Sequence, residues 1–76
     1  MRASYDPEAN AAYIYLADHI EPGGAKFTYP CDPAEVNGMI NLDFDADGRL
    51  LGIEVLDARQ KLPWALLKQA GPPGSE

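Results

Sequence analysis

The chain is predicted to be mainly β with a small helical part: a twisted antiparallel sheet of about five strands, built from two hairpins plus a middle strand, with a short C-terminal helix. Three observations in the 76 residues predict this. Several short segments alternate apolar and polar side chains with a period of two. Clusters of Asp, Asn, Gly and Pro separate them at turn-like intervals. Near the end, a Pro-initiated apolar segment runs into Gly71-Pro72-Pro73, a strong helix stop.

The first hairpin comes from residues 2–5 and 12–16, joined by Asp6-Pro7-Glu8-Ala9-Asn10. Proline suits the first corner of a turn, and asparagine tolerates a left-handed backbone. A helix starting at Pro7 competes, because Asp6 is a good N-cap, proline is welcome at the first helical position and several alanines follow. Tyr13-Ile14-Tyr15-Leu16 decides for strand: it is aromatic and β-branched with alternation, and a helix would leave its two tyrosines on nearly opposite sides. One helical turn over residues 7–9 is compatible with that choice.

Residues 18–24 form a polar loop ending in Gly23-Gly24. Residues 25–29 form a short strand that alternates Lys26 and Thr28 with Phe27 and Tyr29, and Pro30 stops it or leaves it at an edge. Residues 31–38 read as a connection, with a helical turn begun by Asp32-Pro33.

Residues 39–57 support two incompatible readings. Asp43-x-Asp45-x-Asp47-Gly48, followed by Glu54, satisfies the whole calcium-loop pattern of an EF-hand. An EF-hand needs a helix on each side, however, and both flanks alternate as strands do. Ile40, Leu42 and Phe44 fall on one face before the turn, and Leu51, Ile53 and Val55 on one face after it. Pairing Phe44 with Leu51, Leu42 with Ile53 and Ile40 with Val55 puts both triplets on one side of the sheet and leaves Asp47-Gly48 as a two-residue type I′ loop. A three-residue loop over 46–48 with a bulge would set Phe44 against Leu50 and ranks second. The acidic hairpin keeps four candidate metal ligands, Asp43, Asp45, Asp47 and Glu54, for weak divalent-cation binding; solubilising carboxylates are the simpler reading.

Residues 62–70 are expected to form the helix, with Pro63 at its first position. Its load of Leu62, Trp64, Leu66 and Leu67 is too apolar to stand alone, so it must dock on its own sheet or across an interface. Trp64, Leu66 and Leu67, with Tyr13 and Tyr15 on the face opposite Ile14 and Leu16, are the interface candidates. Residues 1–70 read as one domain and 71–76 as a loose tail.

A chain this short buries little apolar surface, and one cysteine and one histidine supply neither a disulfide nor a zinc site. Self-association as a homodimer is the expected remedy. No apolar leader or membrane-length apolar run is present, so a soluble cytoplasmic protein is expected, without membrane contact. Eleven acidic against three basic residues through Asp57 give that body −8, and Arg59, Lys61 and Lys68 add +3 before Glu76. A field of that sign disfavours nucleic acid and suits a basic protein partner.

No cofactor and no enzymatic activity are expected. A Cys31/His19 dyad is the sole nucleophilic option, and the neighbouring Asp32 would raise the thiol pKa where catalysis needs it lowered.

Residues 5–16 and 38–58, in that order, resemble a small bacterial family known as domain of unknown function 2283; with Leu62-Pro63 the resemblance covers roughly residues 1–67. It implies strands around both turns. Asn10 stands where an Asp is common in the family, and residues 23–37 are longer than in its shortest members. The family has no established reaction. Some members lie beside toxin-like genes, which implies an antitoxin-like role. The expectation is therefore a small acidic protein-interaction or homo-oligomerising module, with weak divalent-cation binding as the alternative.

Overall fold

A computed structural model describes residues 2–73. The elements in order are β1 (Arg2–Asp6), β2 (Ala11–Tyr15), β3 (Phe27–Pro30), α1 (Pro33–Val36), β4 (Ile40–Phe44), β5 (Leu50–Leu56), α2 (Ala58–Lys61) and α3 (Trp64–Leu67). All strands belong to one antiparallel sheet in the order β1-β2-β5-β4-β3, so the two hairpins meet along β2 and β5. β3 is the added edge strand beside β4. The expected architecture is present, and strands flank the acidic turn where an EF-hand would need helices.

The first turn is local chemistry. Asp6 Oδ1 accepts the N–H groups of Glu8 and Ala9 at 3.0 and 3.3 Å, and Asn10 takes the left-handed backbone, φ 53°, that brings the chain back. In α1, the Asp32 side chain accepts the Ala34 N–H at 2.9 Å and proline occupies the first turn, the expected start.

The central hairpin keeps two of its three expected pairs, Ile40 with Val55 and Leu42 with Ile53; the third is corrected. Phe44 pairs with Leu50 and not Leu51, after a register shift between Asp43 and Phe44. The loop is Ala46-Asp47-Gly48, closed by Gly48 N–H to the Asp45 carbonyl at 3.0 Å and Asp45 N–H to the Arg49 carbonyl at 2.9 Å. Only Gly48, φ 81°, is left-handed there, whereas a type I′ turn needs positive φ at both central residues.

Asp45 explains the preference. Its Oδ1 accepts the N–H groups of Asp47 and Arg49, both at 2.9 Å, and its Oδ2 accepts Arg49 Nε at 2.9 Å. A two-residue loop could not aim both amides at one carboxylate. The bulge leaves Leu51 as the extra residue, and its carbonyl accepts both Leu16 and Ala17 N–H, at 2.9 and 3.1 Å.

The C-terminal helix is also shorter than expected: a four-residue α3 capped by Pro63, preceded by α2. Leu62 between them is extended, φ −120° and ψ 148°, which residues preceding proline favour. α3 packs near β1, with Leu67 (4% exposed), Ala58 and Ala12 at the centre of a small core and Tyr5, Leu62 and Leu66 around it. The loose tail expected from 71 onward is tied down at its first residue. Gly71 forms a parallel bridge with Ser4, donating to the Ala3 carbonyl and accepting the Tyr5 N–H, both at 2.9 Å. The rest of that expectation falls partly on residues 74–76, outside the described residues.

Candidate functional site

Strand register sorts the side chains onto two unlike faces. One face carries Ala3, Tyr5, Ala12, Ile14, Phe27, Tyr29, Ile40, Leu42, Phe44, Ile53 and Val55, without a charge among them. The other carries Arg2, Ser4, Tyr13, Tyr15, Thr28, Asn41, Asp43, Gly52 and Glu54.

The candidate metal ligands are split between the polar face, where Asp43 and Glu54 have separate partners, and the turn, where Asp45 and Asp47 share Arg49. Asp43 accepts Tyr13 Oη at 2.8 Å and Thr28 Oγ1 at 2.7 Å. Glu54 accepts Asn41 Nδ2 at 2.8 Å from directly across the ladder. Asp45 is held by Arg49 and the turn amides, and Asp47 Oδ2 meets Arg49 Nη2 at 3.1 Å. Among the described residues, no three His, Cys, Asp or Glu side chains come together as a metal-holding group. His19 Nε2 lies 3.4 Å from Glu21 Oε1, and the Cys31 amide continues the β3 ladder to the Ile40 carbonyl at 2.8 Å.

Tyr13 reaches from β2 across β5 to Asp43 on β4, and it can do so because Gly52 beneath it has no side chain. Tyr15 packs edge-on against Tyr13 with ring centroids 4.8 Å apart, and the Arg2 guanidinium sits 4.2 Å over the Tyr15 ring. The two tyrosines thus cover their own sheet's polar side.

Burial first, then the hydrogen bond and charge of Asp43, push the Tyr13 phenol well above its ordinary pKa of 10.0. The fold therefore favours neutral Tyr13. Its contribution is complete below pH 10 and is lost above it, as the unfolded chain ionises and the folded one resists. Melting temperature should fall as pH rises past 10, with a gentler slope in Tyr13→Phe; equal slopes would contradict this assignment. The Asp45 carboxyl is shifted the other way, held below the usual aspartate value chiefly by the Arg49 N–H bond. Its contribution is present at neutral pH and fades as acid protonates it.

Where the first turn meets α2, Asn10 closes a side-chain clamp. Its Oδ1 accepts Arg59 N–H at 3.0 Å and Tyr5 Oη at 3.1 Å, and its Nδ2 donates to Asp57 Oδ1 at 3.0 Å. Arg59 Nη1 donates back to Tyr5 Oη at 2.9 Å. An aspartate at position 10 could accept the first two bonds but not donate the third. Asn10→Asp should cost about 1 kcal/mol in chemical denaturation at neutral pH, largely recovered by adding Asp57→Asn; a neutral single substitution would show the clamp to be idle.

The apolar face is covered over only part of its area. α2 and α3 close the corner at Tyr5, Ala12 and Val55. Beyond it, Ile14, Ile53, Leu42 and Phe44 are half-buried, while Phe27 and Tyr29 on β3 are 61% and 62% exposed. On the β1–β2 side of the same face, a cavity of about 580 Å³ opens with Ala3 and Ile14 on one side and Ala65, Leu66 and Gln69 on the other.

Of the interface candidates, Trp64 is 65% exposed, Leu66 borders the core and Leu67 is buried in it; Tyr13 and Tyr15 lie on the polar face. Phe27 and Tyr29 were not among those candidates. Their signal was an aromatic pair on one face of a strand ending in proline, an edge strand with apolar residues and nothing in sequence assigned to cover them.

These features define a small α+β module, a single sheet with one polar face knit by side-chain hydrogen bonds and one partly open apolar face. The family model described as "Protein of unknown function (DUF2283)" matches residues 2–59, and the chain belongs to that family. No curated protein and no solved structure matches it. Among the described residues, no helix is long and apolar enough to cross a membrane.

Proposed function

We propose that the protein is a small acidic interaction module that works by associating with protein chains through the open part of its apolar face. The observation carrying this reading is the pair Phe27 and Tyr29, more than 60% exposed beside half-buried Leu42 and Phe44. A contiguous apolar surface of that kind, on a domain whose own core is a handful of residues, favours burial against another polypeptide. An antitoxin-like role fits the same module, its acidic polar face suiting a basic partner.

Size exclusion of the purified chain, alone and mixed with the product of the adjacent gene, tests the reading. The chain should enter an assembly in at least one of the two samples, and the Phe27→Asp/Tyr29→Asp variant in neither. An 8.2 kDa monomer in both would overturn it.

A further inference from the structure

Resting on that interaction reading, we propose that a second copy of this chain covers the open apolar face, the two sheets packing face to face so that β3 of each copy lies over the β1–β2 groove of the other. Four features of the fold support this occupant and this geometry.

Neither edge of the sheet offers an uninterrupted ladder. On the β1 side, Gly71 already occupies the Ala3 carbonyl and the Tyr5 N–H. On the β3 side, Cys31 N–H points inward to Ile40, and strand alternation turns Tyr29 and Phe27 the same way. Thr28 and Pro30 therefore face outward, and proline has no N–H to give. Association by strand addition is blunted at both ends, which leaves the faces.

Charge permits the copy at this surface: the like net charges repel at long range, but no carboxylate faces the contact. The chain carries −6, and the carboxylates of Asp43 and Glu54 lie on the opposite face. Two copies can therefore meet apolar face to apolar face without opposing carboxylates, whereas a basic chain would find its counter-charges on the other side.

Shape makes the surface complementary to itself, as a two-fold interface requires. Phe27 and Tyr29 protrude on the β3 side of the central strand β5, and the roughly 580 Å³ groove beside Ile14 and Ala65 opens on the other side. A two-fold axis lying along β5, between sheets held apart by the α3 of each copy, sets the aromatic pair of each copy over the groove of the other.

Area suits a weak, concentration-dependent dimer. Phe27 and Tyr29, 61% and 62% exposed, with the partly exposed Leu42, Phe44, Ile53, Ile14 and Leu50 around them, make an apolar patch in the ~300–600 Å² range, so that two copies bury less than the ~1,200 Å² of total surface at the low end of stable interfaces.

Light scattering coupled to size exclusion tests the proposal on the full chain. The expected mass is twice 8.2 kDa. Phe27→Asp/Tyr29→Asp and, independently, Ala65→Glu on the groove wall should each give a monomer with an unchanged circular dichroism spectrum. Two results would overturn it: a monomer for the unaltered chain at every concentration, or a dimer that survives both changes while each variant stays folded. In either case the broader interaction reading still stands if the adjacent gene's product forms a complex that Phe27→Asp/Tyr29→Asp abolishes.

Discussion

Replacing Gly52 with alanine is expected to lower stability by about 2–4 kcal/mol, a large share of what a domain of this size holds. A Cβ at Gly52 would lie 2.5 Å from Tyr13 Cε2 and 2.6 Å from Cζ, far inside contact distance. β5 cannot yield, because it is the central strand, bonded on both sides. Tyr13 must therefore swing out, which breaks its bond to Asp43 and disturbs the edge-on packing of Tyr15. The melting temperature should drop by on the order of 15 °C. In a Tyr13→Ala background the same glycine change should cost much less, since the obstructing ring is gone. Equal costs in the two backgrounds would show that Gly52 matters for some other reason.

Leu67→Ala should be comparably severe, about 3 kcal/mol. Leu67 is the large aliphatic side chain in the cluster with Ala12 and Ala58, so deleting it removes most of what holds α3 to the sheet. The outcome separates two roles for this side chain. A core residue costs thermal stability measured by circular dichroism; an interface residue would leave the fold intact and lower only the solution mass. The geometry places Leu67 in the core and leaves Phe27 and Tyr29 exposed, where the proposed association falls.

Period-two alternation made four strands and two of the three central pairs readable, because a one-residue slip would have turned Leu42 and Ile53 to the wrong face. Phe44 was misread for a specific reason. The Asp47-Gly48 dipeptide carries the signature of a two-residue turn, yet the turn was decided one step earlier, by Asp45 gathering two amides and a guanidinium. Such side-chain-to-backbone bonds leave no mark on apolar spacing. α2 was invisible for a similar reason: Ala-Arg-Gln-Lys has no apolar period, and its anchor is Ala58, fully buried with a side chain too small to announce itself. The docking of Gly71 on β1 is made by backbone alone. The Tyr13–Asp43 bridge joins residues thirty positions apart; its one local trace was a glycine inside a central strand, which signals close approach by a neighbouring group.

Spacing alone does not place the four candidate metal ligands in space. A complete calcium-loop pattern requires its carboxylates to converge, and a hairpin instead spreads them along the turn and the polar face, where Arg49, Tyr13, Thr28 and Asn41 each take one or more. The same alternation that disperses the acids collects the aliphatic and aromatic groups, so the surface with the strongest claim to a role is the one without charge.

Isotope-filtered nuclear Overhauser spectroscopy on an equimolar mixture of labelled and unlabelled protein tests this account most directly. Intermolecular contacts from the Phe27 and Tyr29 rings to the methyl groups of Ile14 and Ala65 are expected. Contacts confined to the polar face around Glu54 and Asp43, or none between chains, would contradict it.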